Sequence, residues 1–175
     1  MGHRRLNELP TEDEIVALHQ RYAPSPDAFA LVFTHCRIVR DVAAQLLDRR
    51  PQPVDADLVR VGALLHDIGV YRLWDEDGTF DAANYLRHGV AGHELLRELG
   101  WPERISRFCS HHTGVGLTRA DVVDQGLPLP VTDYLAETPE EELVMYADKF
   151  HSKTSPPVFV AADTYQARVR RFGGR

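Results

Sequence analysis

Cysteine is scarce. The 175 residues contain two, Cys36 and Cys109, far apart and outside any CxxC spacing. That argues against a disulfide scaffold and fits reduced thiols in a cytoplasm. Long apolar runs are also missing. None approaches the roughly 20 residues that a membrane span requires, and the opening "MGHRRLNELP" lacks the apolar centre of a signal peptide. The expectation is a cytoplasmic protein without a membrane partner. Positive charge is in deficit as well. A net charge of −6 argues against nucleic acid as the main partner, because phosphate backbones require a basic surface. The arginine-rich end "RVRRFGGR" is too short to reverse this and reads as a solvated tail. There is no internal repeat and no low-complexity segment. What remains is 43% hydrophobic and 26% charged, a composition and length that suit one globular domain over residues 1–175.

Strict two-residue alternation is absent, and "PPVFVAA" is the one β-like run. Helical signals dominate. "TEDEIVALHQRYA" opens on a capping box, Thr11 with Glu14, and predicts an N-terminal helix over 11–23. "PDAFALVFTHCRIVRDVAAQLLDRR" places Phe29, Val32, Phe33, Cys36, Val39, Ala43 and Leu46 at helical spacing. "DADLVRVGALLHDIG" predicts a helix capped by Asp55 or Asp57 and stopped at Gly69 as its C′ residue. Residues 70–82 read as turns. "AANYLRHGVAGHELLRELG", closed by Gly100, and "PERISRFCSHHTG", with Pro102 near its first position, give a fourth and a fifth helix. The 113–137 stretch is polar, with a short helix at "TRADVVDQG". Its length marks it as a lid or pocket wall, or as a surface loop. "TPEEELVMYADKFHSKT" has Thr138 as cap, Pro139 at the first position and Glu141 closing a box. The fold class is all-α, a bundle of six to seven helices with a core near 28–153. The 154–175 end reads as a tail, or as a last helix packing on the bundle or on a second subunit.

Histidine is abundant: nine, against seven phenylalanines and six tyrosines. It is the commonest metal ligand and the usual proton carrier near neutral pH. His35 lies inside the long second helix, His66 and Asp67 end the third, and His88 is in the fourth. His111 and His112 end the fifth, and Asp148 is in the last. Each alone has an ordinary explanation. A lone histidine on an apolar face is usually a satisfied core residue, Asp148 can pair with Lys149 or Arg168, and His88 can be surface. His93 points well away from His88 at 100° per residue and reads as surface. His3, His19 and His151 receive the same ordinary reading. Jointly, five helices each turn an imidazole or carboxylate towards the core. Helix bundles build metal sites in this way. A nitrogen and oxygen donor set without thiolate suits Mn, Fe, Co, Ni or Zn. Neighbouring helix residues do not face each other, so spacing alone does not place His66 and Asp67 on one ion.

The order His35, His66-Asp67, Asp148 resembles the H…HD…D pattern of the HD superfamily of metal-dependent phosphohydrolases, and "LLHDIG" is similar to its HDIG subgroup. The likeness spans about residues 28–153. "HGVAGHELLRELG" resembles the H-G-x-x-G segment of relatives with two metals, and "SHHTGVGL" their following H-T or H-x-G segment. The resemblance implies a first ion held by His35, His66 and Asp148. Asp67 would bridge to a second ion held by His88 and one of His111 and His112. His112 is preferred because it directly precedes the Thr–Gly stretch. The lysine of an HDxxK motif is missing, since Val70 stands there. Arg72, Lys149 or Lys153 would then meet the substrate phosphate.

The resemblance implies one or two divalent transition-metal ions and hydrolysis of a phosphate ester or anhydride, of a nucleotide or dinucleotide, by a metal-activated water. Asp67 and His66 would be catalytic, the partner a small phosphorylated molecule, and a homodimer is compatible. Two alternatives share the ligand set. A di-iron oxygenase would show iron, colour and oxygen consumption. A non-catalytic metal-binding module would hold metal without turnover.

Overall fold

The computed structural model describes residues 8–49, 51–153, 158–161 and 164. The helices are α1 (Glu12–Tyr22), α2 (Pro26–Arg49), α3 (Ala56–Leu65), α4 (His88–Glu98), α5 (Glu103–Ser110), α6 (Arg119–Asp124) and α7 (Pro139–Asp148). Two 3-10 segments, Ile68–Leu73 and Ala82–Arg87, precede α4. A two-residue ladder pairs β1 (His151–Ser152) antiparallel with β2 (Val158–Phe159). The all-α reading holds, and β2 lies inside the one β-like run. Most of the 154–175 end lies outside the described residues. Among the described residues no helix is long and apolar enough to cross a membrane.

Local chemistry sets the helix starts. Thr11 and Glu14 form the expected capping box, and Thr118 with Asp121 forms another at α6. Asp55, not Asp57, caps α3 by accepting from the Leu58 N–H. Thr138 caps α7, but Glu141 does not close a box there. Its carboxylate accepts from the Glu137 N–H and is held in a fork by Arg107, at 2.7 and 3.1 Å. A tertiary ion pair wins over the local cap.

The largest departure is at the end of α3. The helix stops at Leu65, with His66 as C-cap, and the chain tightens into the 3-10 segment. Gly69 is not a C′ residue, and positive φ is not its role. A Cβ there would lie 2.1 Å from the His88 carbonyl oxygen and 2.2 Å from the Gly92 nitrogen. Glycine is required because α4 crosses the segment at backbone contact, which brings His88 beside Asp67.

Two apolar clusters flank the polar residues. One holds Ile15, Val32, Cys36, Leu64, Leu65, Leu95 and Ile105, and the other Val39, Ala43, Phe108, Val144 and Ala147. His35 sits between Val32 of the first and Val39 of the second. His66 follows Leu65 of the first, and Asp148 follows Ala147 of the second. The 113–137 stretch is ordered by α6 and by the Leu117–Tyr134 bridge.

Candidate metal centre

His35 from α2, His66 and Asp67 after α3, His88 at the start of α4, His112 after α5 and Asp148 at the end of α7 meet in one cluster, buried apart from the partly exposed Asp148. Asp67 is its centre. Its Oδ2 lies 3.2 Å from His35 Nε2 and 3.3 Å from His66 Nε2. Its Oδ1 lies 3.2 Å from His88 Nε2 and 3.5 Å from His112 Nε2. Asp148 Oδ1 closes the first side, 2.9 Å from His35 Nε2 and 3.6 Å from His66 Nε2. The imidazoles also face each other: Nε2 atoms are 3.2 Å apart for His35 and His66, and 3.0 Å apart for His88 and His112.

The far nitrogens explain the near ones. His66 Nδ1 lies 2.8 Å from the Ala63 carbonyl, His88 Nδ1 2.6 Å from that of Tyr85, and His112 Nδ1 3.0 Å from that of Phe108. A carbonyl only accepts, so each ring donates from Nδ1, and in the neutral ring its Nε2 presents a lone pair. Lone pairs therefore face lone pairs and carboxylate oxygens at close range. Only a cation or a proton between them makes this arrangement favourable. Asp67 Oδ1, fully buried, has no hydrogen-bond partner among the described residues. Such an atom costs free energy unless something meets it.

Electrostatics agree. Burial would strip the proton from His66, but Asp67 outweighs it and pushes His66 well above its usual value. Burial also opposes a charged Asp67, yet Lys153 and His66 hold it well below the carboxylate range. Asp148 is likewise held low against burial, first by Lys149. Burial leaves His35 and His112 lowered to about 4, so both are neutral donors near pH 7. The ligand atoms of His35, His66 and Asp148 lie within 4.8 Å of one another, as do those of His66, Asp67 and His112. This donor set could hold a divalent transition metal at either oxygen of Asp67.

Of the two candidates at the end of α5, His112 reaches the cluster. His111 turns to Ser110 Oγ and the Arg107 carbonyl. Lys153 Nζ contacts Asp67 Oδ2. Lys149 braces the shell, donating to Asp148 Oδ2 at 2.8 Å and to the His112 carbonyl at 2.9 Å. Arg72 is the expected site residue not brought here. Its guanidinium is paired with the exposed Glu98, and among the described residues no hydrogen bond or ion pair joins it to the cluster.

Other histidines depart from their ordinary readings. His93 is not free surface: its Nδ1 meets Ser110 Oγ at 2.7 Å and its Nε2 stands 3.3 Å from Glu103. His151 is buried behind His35, their Nδ1 atoms 2.8 Å apart, and so orients that ring. The β1–β2 ladder fixes His151, a pairing the sequence pattern did not disclose; its one local signal is a position three residues after Asp148. Tyr85, absent from the expected set, packs against His88 with the rings tilted and their centroids 4.7 Å apart.

The HD domain family model matches residues 32–153. An uncharacterised protein of Methanocaldococcus jannaschii is 38% identical over 120 residues, 67% of this chain and 64% of that protein. A tRNA (cytidine(56)-2'-O)-methyltransferase of Picrophilus torridus is 36% identical over 153 residues, 87% of this chain and 40% of the relative. The chain thus spans less than two thirds of the length of these curated relatives. Among solved structures, the HD domain of the L. monocytogenes phosphodiesterase PgpH has the same fold. Its TM-score is 0.56 at 17% identity, covering 90% of this chain and 83% of that one. A second structure of that domain, in complex with cyclic-di-AMP, gives the same TM-score and identity, with 80% of its chain covered. Family model, archaeal relative and fold agree, and the chain belongs to the HD domain family.

Proposed function

We propose that this chain is a metal-dependent phosphohydrolase that cleaves a phosphate ester or anhydride of a nucleotide or dinucleotide. The observation that carries the reading is Asp67, a buried carboxylate with a pair of imidazole Nε2 atoms at each oxygen. In this reading His35, His66, Asp148 and Asp67 hold one divalent ion, and Asp67, His88 and His112 hold a second. Bound ions would supply acidified water at neutral pH and neutralise phosphate charge. Asp67 fixes the spacing of the two sides and stays ionised, its carboxyl held well below the usual range by Lys153 and His66. His66 is held by the Ala63 carbonyl in the tautomer that presents Nε2. Lys153, in contact with Asp67, offers a cation to the outer phosphate oxygens.

A nucleotide is supported by the PgpH domain solved with cyclic-di-AMP. The tRNA named for the methyltransferase relatives is not carried over: the match covers 40% or less of those proteins, and a net charge of −6 disfavours a polynucleotide.

The test is metal content by mass spectrometry on protein purified without a metal-affinity column, beside phosphate release from nucleotides. Near two ions per chain, falling to one in His88→Ala, with turnover, is the expected result. One ion unaffected by His88→Ala overturns the two-ion reading. Metal without turnover on any phosphate ester overturns the hydrolase. Iron with oxygen consumption would move the chain to the oxygenases.

A further inference from the structure

The aromatic side chains beside the cluster pack on one another in series. Trp74 and Phe80 pair across an antiparallel bridge, centroids 4.4 Å apart. Phe80 meets Tyr85 edge to face at 6.3 Å, and Tyr85 lies 4.7 Å from His88. All three of Trp74, Phe80 and Tyr85 rest on the first apolar cluster. The series therefore runs from the core to a candidate metal ligand and forms a buttress behind His88.

Tyr85 touches the site through separate groups. Its carbonyl lies 2.6 Å from His88 Nδ1 and accepts its proton. Its ring packs on the His88 ring. The same ring faces the Lys153 ammonium, 5.7 Å from its centroid, within the reach of about 6 Å of a cation–π contact. The turn before it is fixed locally. Asp81 accepts from the backbone N–H of Asn84 at 3.1 Å and from its side-chain amide at 2.8 Å. Tyr85, Lys153 and Asp148 line a cavity of about 500 Å³ beside the cluster.

Filling the core does not account for this residue. Tyr85 is half-buried, and its ring meets both an imidazole and an ammonium group. His88 faces Oδ1 of Asp67, while Lys153 contacts Oδ2. One side chain thus spans the two sides of the shared carboxylate.

We propose that Tyr85 is a positioning residue of the centre. It holds His88 for the second ion and Lys153 for the substrate phosphate, in one fixed relation. The Lys153 half rests on the phosphohydrolase reading above, and the His88 half requires only a bound ion.

The probes are Co²⁺, titrated into metal-free full chain against a chelating dye, and inorganic phosphate, titrated at saturating Co²⁺. Tyr85→Leu is expected to weaken the second equivalent of Co²⁺ by about 10–100-fold, as loss of a ligand's outer partner does. The first equivalent should not change. Tyr85→Phe keeps the ring and should restore the second equivalent. Phosphate should bind more weakly to Tyr85→Leu than to the wild type. In a Lys153→Met background Tyr85→Leu should cost no further phosphate affinity, because its effect there passes through Lys153. Additive losses overturn the Lys153 half. An unchanged second equivalent in folded Tyr85→Leu, or no rescue in folded Tyr85→Phe, overturns the His88 half. Where Tyr85→Leu does not fold, Phe80→Leu decides. It withdraws the ring behind Tyr85 and should weaken the second equivalent, and unchanged affinity overturns the proposal. A wild type that takes up two equivalents and hydrolyses no phosphate ester overturns the phosphohydrolase, while the Co²⁺ titration still decides the hold on His88.

Discussion

Two fully buried histidines, His19 and His66, lie close together in the fold and behave oppositely. His19 is complete. Its Nε2 donates to the Leu64 carbonyl at 2.8 Å and its Nδ1 accepts from the Tyr71 hydroxyl at 2.9 Å. Burial lowers its pKa to about 4, and it sits neutral in the core. His66 is complete on one side only. Its Nδ1 is satisfied by the Ala63 carbonyl, while its Nε2 faces another imidazole and two carboxylates. Burial is common to both and so marks nothing. The mark of a site is a set of donor atoms aimed at one another with no partner of their own.

That contrast can be broken by substitution. The largest effect is expected from Asp67→Ala, which removes both oxygens of the shared carboxylate. Hydrolysis should fall to background and metal to one ion or fewer per chain, read by phosphate release and mass spectrometry. Next comes His151→Ala, which frees the His35 ring behind the cluster. Loss of such an outer partner should cost about 10–100-fold in metal affinity or activity, read by competition with a chelating dye, in protein with unchanged circular dichroism.

His19→Gln tests the other half of the comparison. Metal content should not change, but the acid response should. Native His19 binds its proton only near pH 4, while the unfolded chain binds it near 6.5. Between those values the unfolded state carries the extra proton, so stability falls as pH falls, by up to about 1.4 kcal/mol per pH unit. Urea denaturation from pH 7 to 4 should show this component in the wild type and not in His19→Gln. The smallest effect belongs to Arg72→Ala. Its exposed partner Glu98 makes the pair weak, and hydrolysis should match that of the wild type. A large loss of activity would mean that Arg72 reaches the substrate.

These contrasts show where the sequence was readable. Thr11 and Thr138 announced their helices because capping is local chemistry. His35 and Asp148 stood out because apolar residues flank them at helical spacing, and His88 because its segment resembles H-G-x-x-G. What was hidden depends on distant partners. Gly69 looks like a helix stop until α4 is seen lying against it. Glu141 looks like half of a capping box until Arg107 claims it. His151 looks ordinary because its neighbour His35 is 116 positions away. Tyr85, Trp74 and Phe80 carry no spacing signal, since the segment that holds them bends through turns and 3-10 helix.

The same distances bear on how the protein assembles. His35 and His66 are 31 positions apart and His35 and Asp148 are 113 apart, yet their side chains touch. An ion gripped by all three would act as a removable cross-link closing those loops, a constraint of the kind a disulfide imposes on a chain. The extended polypeptide has no such grip to offer, so binding would belong wholly to the folded form. At a hundred times the dissociation constant it would add about 2.7 kcal/mol to stability. Metal supply would then set the abundance of the folded protein as well as its rate of turnover, and chelation would lower the melting temperature before any substrate is added.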